Sequence, residues 1–374
     1  MSTTAATPAP SLEELRRYAI ARSLFKPTTL PSAIRKLGFV QADPMRAPAR
    51  AQDLILRHRV KDYRAGDLER RYTRLAVEED CFVNYGFLPR QHLALLHPRE
   101  PRRSWDAKTR AQAEQLLAVV RERGPTHPKQ LLEEFSHHGR MPGYWGGELN
   151  VSTQLLDGLH YRSQLRVKRR DAGTRVYEAV QHPEAEQSPA ARQARAEALL
   201  DMVVALYAPL PAPSLGYLTS LLGYGAPQLR AETRQAFQCA KARYAHAQID
   251  GRTWFWPADE NPRSKRHRLD TQLRMLAPFD PVVWDRRRFQ LLWGWEYKFE
   301  AYTPAPKRKM GHYALPLLWG DAMLGWANLR LEKDGRLQHE LGFVHGRPKG
   351  AAFRLALEEE LQRVSEFLGL DSPA

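Results

Sequence analysis

Val151-Ser152-Thr153-Gln154-Leu155-Leu156-Asp157-Gly158-Leu159-His160-Tyr161-Arg162, followed by Gln164–Lys168, Asp171-Ala172-Gly173 and Arg175–Ala179, decides the fold. Leu155, Leu156 and Leu159 recur with helical spacing, so Val151–Arg162 reads as a helix with one apolar face. The two segments after it alternate apolar and polar residues on either side of a turn, the pattern of a short hairpin. Upstream, Thr109–Arg123 has helical period. Thr126-His127-Pro128 then opens a second helix through Phe135, with Thr126 at its N-cap, and the Gly/Pro-rich Gly139–Gly147 is a loop. Three helices and a hairpin make a winged helix-turn-helix, whose third helix can enter a major groove and whose wing can touch phosphates.

Working outward, the pattern recurs on both sides. The first copy comprises Ser11–Phe25, Leu30–Leu37, helices through Arg50–Val60 and Asp67–Tyr72, and a wing of Ala76–Glu79 and Cys81–Tyr85. The third comprises Pro189–Tyr207, Ser214–Leu222, Pro227–Phe237 and a hairpin of Arg243–Ile249 and Thr253–Trp256. Beyond a linker at Asp259–Arg268 the pattern changes. His312–Leu318, Met323–Leu331 and Leu337–Val344 alternate like antiparallel strands, separated by turns at Gly320-Asp321 and Asp334-Gly335. A closing helix, Lys349–Leu368, sets Phe353, Leu357, Leu361, Val364 and Leu368 against the sheet. The expected fold class is α+β, mainly α. It begins with a disordered tail (1–10). Three tandem winged helix-turn-helix units follow (11–98, 99–187 and 188–258), then a C-terminal antiparallel β-rich domain with a closing helix (259–374).

The chain carries 57 Lys+Arg against 42 Asp+Glu, a formal charge of +15 over 374 residues, with Arg in the majority. An excess of this size points to a polyanionic partner, nucleic acid before a membrane surface; liberal use of Arg on solvated faces is the plain alternative. No apolar run approaches the roughly 20 residues of a membrane span. The N-terminus lacks the basic start and apolar stretch of a signal peptide. Cys81 and Cys239 are the only cysteines, which argues against a disulfide framework or a cysteine zinc site and fits a reducing cytoplasm.

The tripeptide Gln41-Ala42-Asp43 ends the apolar run Leu37-Gly38-Phe39-Val40 and precedes Pro44. In an extended segment Gln41 and Asp43 face the same side. A carboxylate beside an amide can hold a water, the first as base and the second as positioner. The same tripeptide also suits a cap in which Asp43 receives backbone N–H groups ahead of the next helix.

Two longer motifs carry a resemblance. Leu276-Ala277-Pro278-Phe279-Asp280-Pro281-Val282-Val283-Trp284-Asp285-Arg286-Arg287-Arg288 is one. Glu300-Ala301-Tyr302-Thr303-Pro304-Ala305-Pro306-Lys307-Arg308-Lys309-Met310-Gly311, followed by Ala314-Leu315-Pro316-Leu317, is the other. With the order of segments over most of the chain, they make it resemble the YcaQ/AlkZ-like crosslink-repair DNA glycosylases. The resemblance implies tandem winged helices with a C-terminal β-rich domain, and a catalytic Gln-x-Asp of the YcaQ branch, matched here by Gln41 and Asp43. There are departures. The branch often has Trp-x-His upstream of a proline, whereas Cys81–Pro89 has no His. The second winged helix often has Trp followed by Lys, whereas Tyr144-Trp145 is followed by Gly146-Gly147-Glu148-Leu149-Asn150.

The implied activity is a monofunctional DNA glycosylase that hydrolyses the N-glycosidic bond of cationic N7-alkylated purines and could unhook interstrand crosslinks. It needs no Schiff-base lysine, metal or cofactor. The expected partner is double-stranded DNA with alkylated bases, bound by a monomer without membrane attachment, in the nucleoid-associated cytoplasm. Candidate DNA contacts are Arg50, Arg287, Lys307, Arg308 and Lys309, with at least one of Arg286, Arg287 and Arg288 expected to pair with Asp280 or Asp285 instead. Glu296 and Glu300 would share a face of a strand, as a second carboxylate pair or as salt-bridge partners. His137-His138 reads as a loop without the companions of a zinc site. Trp254-Phe255-Trp256 and Trp293-Gly294-Trp295 could stack on bases or fill a core. A non-catalytic winged-helix regulator is the alternative reading. The basic charge suits both; Gln41, Asp43 and the two motifs favour the enzyme.

Overall fold

The structure is a computed structural model describing residues 8–135, 139–142 and 148–370. His137-His138, Tyr144-Trp145 and the first seven residues of the expected tail lie outside the described residues. The chain forms two compact units. One comprises 1–67, 200–219 and 237–374; the other comprises 68–199 and 220–236.

In the first unit the core is built around the 276–288 motif. Leu276, Val282, Val283, Phe289, Trp295 and Tyr297 pack with Ile20, Ala314, Leu318 and Met323. Burying this many large apolar side chains, at about 1.5–3 kcal/mol each, fixes the motif as interior. A four-stranded antiparallel sheet runs in the order Leu273–Met275, Leu315–Trp319, Ala322–Leu331, Leu337–Phe343, so three of its strands were expected and the short Leu273–Met275 edge strand was not. The helix Ala351–Leu368 closes it: Phe353 meets Trp319 and Phe343 edge-on, at ring-centroid distances of 5.8 and 5.9 Å. Glu360, buried on that helix, accepts from the Met275 backbone N–H at 2.8 Å and pairs with Arg57.

The hairpin Ala245–Ile249 with Arg252–Trp256 turns through Asp250 and Gly251, both at positive φ, as a two-residue hairpin turn requires. Trp254, Phe255 and Trp256 are buried and belong to the core, as does Trp295; the half-buried Trp293 donates its indole N–H to the Asp321 carbonyl. The expected linker is pinned rather than loose: Glu260 accepts from Tyr18 at 2.6 Å and from Arg22 at 3.0 Å.

In the second unit the helices Ala107–Arg123, Pro128–Glu134 and Val151–Tyr161 precede the hairpin Leu165–Asp171 with Thr174–Ala179, close to the expected bounds. Its turn residues Ala172 and Gly173 again have positive φ. The N-cap before Pro128 is His127, whose ring nitrogen accepts from Lys129 N–H; Thr126 is buried and bonds the Tyr177 backbone instead. The expected 139–147 loop contains the strand Arg140–Pro142, paired with Glu148–Asn150. The first wing is also shifted: its strands are Val77–Cys81 and Tyr85–Pro89. The turn sits at 82–84, where Phe82 N–H bonds the Asn84 carbonyl and Asn84 Oδ1 accepts from Tyr85 N–H. Alternation alone misplaced it because Glu78, Glu79 and Asp80 are all buried, so polarity does not mark the outer face of that strand.

Candidate active site

Gln41 and Asp43 sit in the first unit, on the turn between two short buried elements. The helix Leu30–Leu37 ends at Gly38, whose φ of 73° is open to glycine at little cost and reverses the chain into Val40-Gln41. The chain then loops through Pro44–Ala49 to the helix Ala51–Leu56, every residue of which is buried. Asp43 Oδ1 accepts from the Met45 N–H at 2.9 Å, an Asx turn that realises in part the local capping role open to this residue. It does not cap the next helix, where Arg50 holds the N-cap position. Among the described residues Asp43 Oδ2 has no hydrogen-bond partner and no Lys or Arg pairs with the carboxylate. Partial burial raises the Asp43 pKa, opposed by the Met45 N–H. A carboxylate held in this way is a stronger base than one at the surface, and its charge is less screened.

Gln41 is buried, and its side chain makes no hydrogen bond with Asp43. Its Oε1 accepts instead from Trp284 Nε1–H at 2.5 Å. This contact explains part of the 276–288 motif. Asp280, fully buried, takes a bidentate ion pair from the equally buried Arg59 at 2.7 and 3.0 Å and accepts from Val282 N–H. Arg59 in turn donates to the Ser23 and Ile55 carbonyls. Asp285 caps the helix Arg286–Trp293 by accepting from the Arg287 and Arg288 N–H groups. Trp284 lies between these anchors, with Tyr207 at 5.4 Å and Tyr217 stacked on it at 6.3 Å.

The second motif supplies an aromatic wall and a basic loop. Tyr313 is buried, and its hydroxyl has no hydrogen-bond partner among the described residues. Burial first, and then the negative charge of Asp43, hold its pKa well above the ordinary value, which places Asp43 within electrostatic reach. Phe279 and Phe299 meet Tyr313 edge-on, and Tyr302, 72% exposed, extends the group from Phe299 toward solvent. Glu300 is not on a strand. It is buried and accepts the backbone N–H groups of Lys309 and Met310 at 2.8 and 2.7 Å, while Glu296 pairs with Lys298 at the surface. The loop folds back at Gly311, where a Cβ would stand 2.4 Å from the Asn328 amide oxygen, and Asn328 holds the Met310 carbonyl. Lys307 and Lys309 are thereby left exposed, whereas Arg308 is half-buried and donates to the Thr303 carbonyl.

Arg287 is exposed on the first turn of the helix Arg286–Trp293, and Arg50 is half-buried at the N-cap of the helix Ala51–Leu56, where the loop after Asp43 ends. Among the described residues no ion pair joins the 286–288 side chains to Asp280, which Arg59 occupies, or to Asp285, which accepts the Arg287 and Arg288 backbone N–H groups instead. Arg286 lies over the Tyr297 ring at 4.6 Å, and Arg288 is buried and donates to the Pro281 carbonyl, its pKa lowered by burial to about 10. Trp284, Arg59, Tyr313 and Tyr217 are the residues that reading the sequence missed. Trp284 and Tyr313 stand in or next to the quoted motifs, but nothing local announces a bond across 243 positions. A cationic cavity of about 760 Å³, lined by residues including Arg57, Arg64, Arg266, Arg268 and Arg274, lies in the same unit and contains neither Gln41 nor Asp43. Glu360 and Asp270 already neutralise part of its charge.

The sequence family described as DNA glycosylase AlkZ-like matches residues 34–367, most of the chain and all of the site just described. The chain belongs to the AlkZ-like DNA glycosylases. Its function is accordingly in DNA repair, with DNA as the partner. The Streptomyces sahachiroi DNA glycosylase AlkZ is similar in structure, with a TM-score of 0.59 over 97% of this chain and 98% of that one, at 13% identity. At that identity the likeness is one of fold: mixed helices and antiparallel sheets in a similar arrangement. Among the described residues of this AlkZ-like glycosylase, no helix is long and apolar enough to cross a membrane.

Proposed function

We propose that this AlkZ-like protein is a monofunctional glycosylase of the Gln-x-Asp branch that removes cationic N7-alkylated purines, with Asp43 as base and Gln41 as positioner. The observation that carries the reading is Asp43 itself. It is a half-buried carboxylate with a raised pKa and one oxygen tied to the Met45 N–H; among the described residues the other oxygen has no partner and no cation pairs with it. An N7-alkylguanine is a good leaving group without protonation. When the C1′–N9 bond breaks, N9 takes the electron pair and the ring's positive charge is cancelled. The sugar becomes cationic, and a nearby carboxylate stabilises it electrostatically. Water attacks C1′, and its proton passes to Asp43. Among the described residues no carboxylic acid or histidine is hydrogen-bonded to Asp43, so a neutral base such as uracil, without the positive charge of the alkylated purine, is a poorer leaving group here.

In this reading the three helix–hairpin segments act as winged helix-turn-helix units within the divisions 11–98, 99–187 and 188–258, ahead of the 259–374 domain. Lys307 and Lys309 reach phosphates from the loop that Glu300 holds. Arg287, Arg50 and the partly engaged Arg308 contribute further contacts. A monomer in the nucleoid-associated cytoplasm is sufficient for the chemistry, which uses no metal or cofactor. An open groove, rather than a deep flipped-base pocket, would let the enzyme act on a bulky crosslink as well as on a single adduct.

The test is release of base from duplexes carrying one N7-methylguanine, one nitrogen-mustard-type crosslink or one uracil, followed by alkaline cleavage at the abasic site. The reading expects release from the first, no release from uracil, and slower unhooking of the crosslink than removal of the monoadduct. Efficient uracil release with none from N7-methylguanine contradicts it.

A further inference from the structure

We infer that Trp284 is a positioning residue that locks the Gln41 amide in one of its two orientations and so makes Gln41 a hydrogen-bond donor toward the attacking water. This rests on the reading that Gln41 and Asp43 carry the chemistry, and deepens it. An amide's oxygen and nitrogen have nearly the same shape, so which one faces a neighbour is normally assigned from the network. Here the neighbour decides: an indole N–H can donate and cannot accept, so the atom 2.5 Å from Trp284 Nε1 must be the Gln41 oxygen. The two Nε2 hydrogens then point away from the indole, and no residue among those described takes them.

The orientation is held by more than one bond. The indole has Tyr207 at 5.4 Å and the stacked Tyr217 at 6.3 Å as aromatic neighbours, and its own backbone N–H donates to the Asp280 carbonyl at 2.7 Å. Asp280 is clamped by Arg59 from one side, while Asp285 starts the next helix on the other. The amide cannot flip without breaking its bond to the half-buried indole N–H, leaving that donor facing the Gln41 NH2 group.

The chemical consequence concerns the water. A water that accepts a hydrogen bond from Gln41 Nε2 keeps both of its own hydrogens, one of which is directed to Asp43, and retains a lone pair for C1′. Were the amide reversed, the water would donate one hydrogen to Gln41, and its remaining orientation would be shared between two acceptors. Fixing Gln41 as the donor and Asp43 as the acceptor gives the water a single productive orientation.

Trp284→Phe removes the N–H and keeps an aromatic ring in place. Single-turnover release of N7-methylguanine is expected to slow about tenfold, the worth of one hydrogen bond, with DNA affinity unchanged. Gln41→Ala should slow release by at least as much, and adding Trp284→Phe to it should cost nothing further, because Trp284 acts only through Gln41. A wild-type rate in Trp284→Phe, or equal slowing in both backgrounds, overturns the inference while leaving the site's assignment standing. If Gln41→Ala alone has the wild-type rate, the site reading falls and this inference with it. A second measurement does not depend on Trp284→Phe folding. One of the nine indole N–H signals of the full-length protein should shift and lose protection from exchange in Gln41→Leu; no change in any of the nine overturns the inference.

Discussion

Two groups of carboxylates in this glycosylase have opposite surroundings. In the second unit, Glu78, Glu79 and Asp80 are consecutive, buried and saturated. Glu78 accepts from Arg90 and Arg166 at 2.7 and 2.6 Å, Glu79 from Arg170 and Tyr85 at 2.9 and 3.0 Å, and Asp80 from His97 and Arg99 at 2.6 and 2.9 Å. Burial alone would raise the pKa values of Glu79 and Asp80; their cationic and hydrogen-bonding partners outweigh it and hold both below the usual range. In the first unit Asp43 is half-buried, accepts one backbone N–H, has no cation paired with it among the described residues, and is shifted upward. A carboxylate whose charge is fully compensated is inert and organises its surroundings. One left partly desolvated and uncompensated costs stability and retains basicity, the usual mark of a working group. Even the Ser163–His97–Asp80 chain, which has the connectivity of a hydrolytic triad, belongs to the first kind. Its members are buried, burial lowers the His97 pKa, and Arg99 pairs with Asp80.

The largest effect expected from this contrast is on stability. Asp80→Asn leaves Arg99 buried without its counter-charge, and breaking such a pair costs about 3–5 kcal/mol. The loss should appear as a lower urea midpoint for the transition that unfolds the second unit. An unchanged midpoint would break the comparison, because the saturated carboxylates would then not be structural.

The next effect is on pH dependence. In the proposed mechanism Asp43 acts as the ionised base, and its pKa is raised, so the rate of N7-methylguanine release should fall with acidification at a pH above the ~3.9 of an ordinary aspartate. The lesion's charge does not change with pH in this range, so the fall reports the enzyme. Asp80 has a depressed pKa, so the stability it confers is present above the ordinary aspartate range and is lost only as pH falls toward its lower folded-state value. The protein should therefore remain folded while activity declines. A rate that stays flat down to about pH 4 contradicts the raised pKa.

The smallest effect separates the chemical site from the basic loop. Lys307→Ala or Lys309→Ala should weaken binding to undamaged and damaged duplex alike. Each should reduce the slope of log K against log salt by about one, without altering single-turnover release at saturating enzyme. A slower chemical step at saturation would sharpen the picture differently, by moving this loop to the reacting sugar.

What the sequence revealed follows from how local each signal is. The helix Val151–Tyr161 and the hairpins at Ala172-Gly173 and Asp250-Gly251 were legible because apolar period and turn residues act over a few positions. The first wing was set in the wrong register because its strand hides three acidic residues whose partners, such as Arg166 and Arg170, lie some 90 positions away. The helix Arg286–Trp293 was not expected, because three successive arginines carry no apolar period, yet Arg288 is buried. The candidate site was half legible. Gln41 and Asp43 could be named from residue type and resemblance, but the hold of Trp284 on Gln41 and the reach of Asp43 to Tyr313 are tertiary. No spacing rule connects residues 243 positions apart.

The most direct test of the central claim is single-turnover release of N7-methylguanine by Asp43→Asn beside the wild type, with duplex affinity and thermal unfolding measured on the same samples. Asparagine preserves the shape and the turn but removes the charge and the base. The account predicts release slowed at least ~100-fold, the scale of losing a positioned base or charge stabiliser, with affinity and fold retained. Release at the wild-type rate by a folded, DNA-binding Asp43→Asn protein would contradict it.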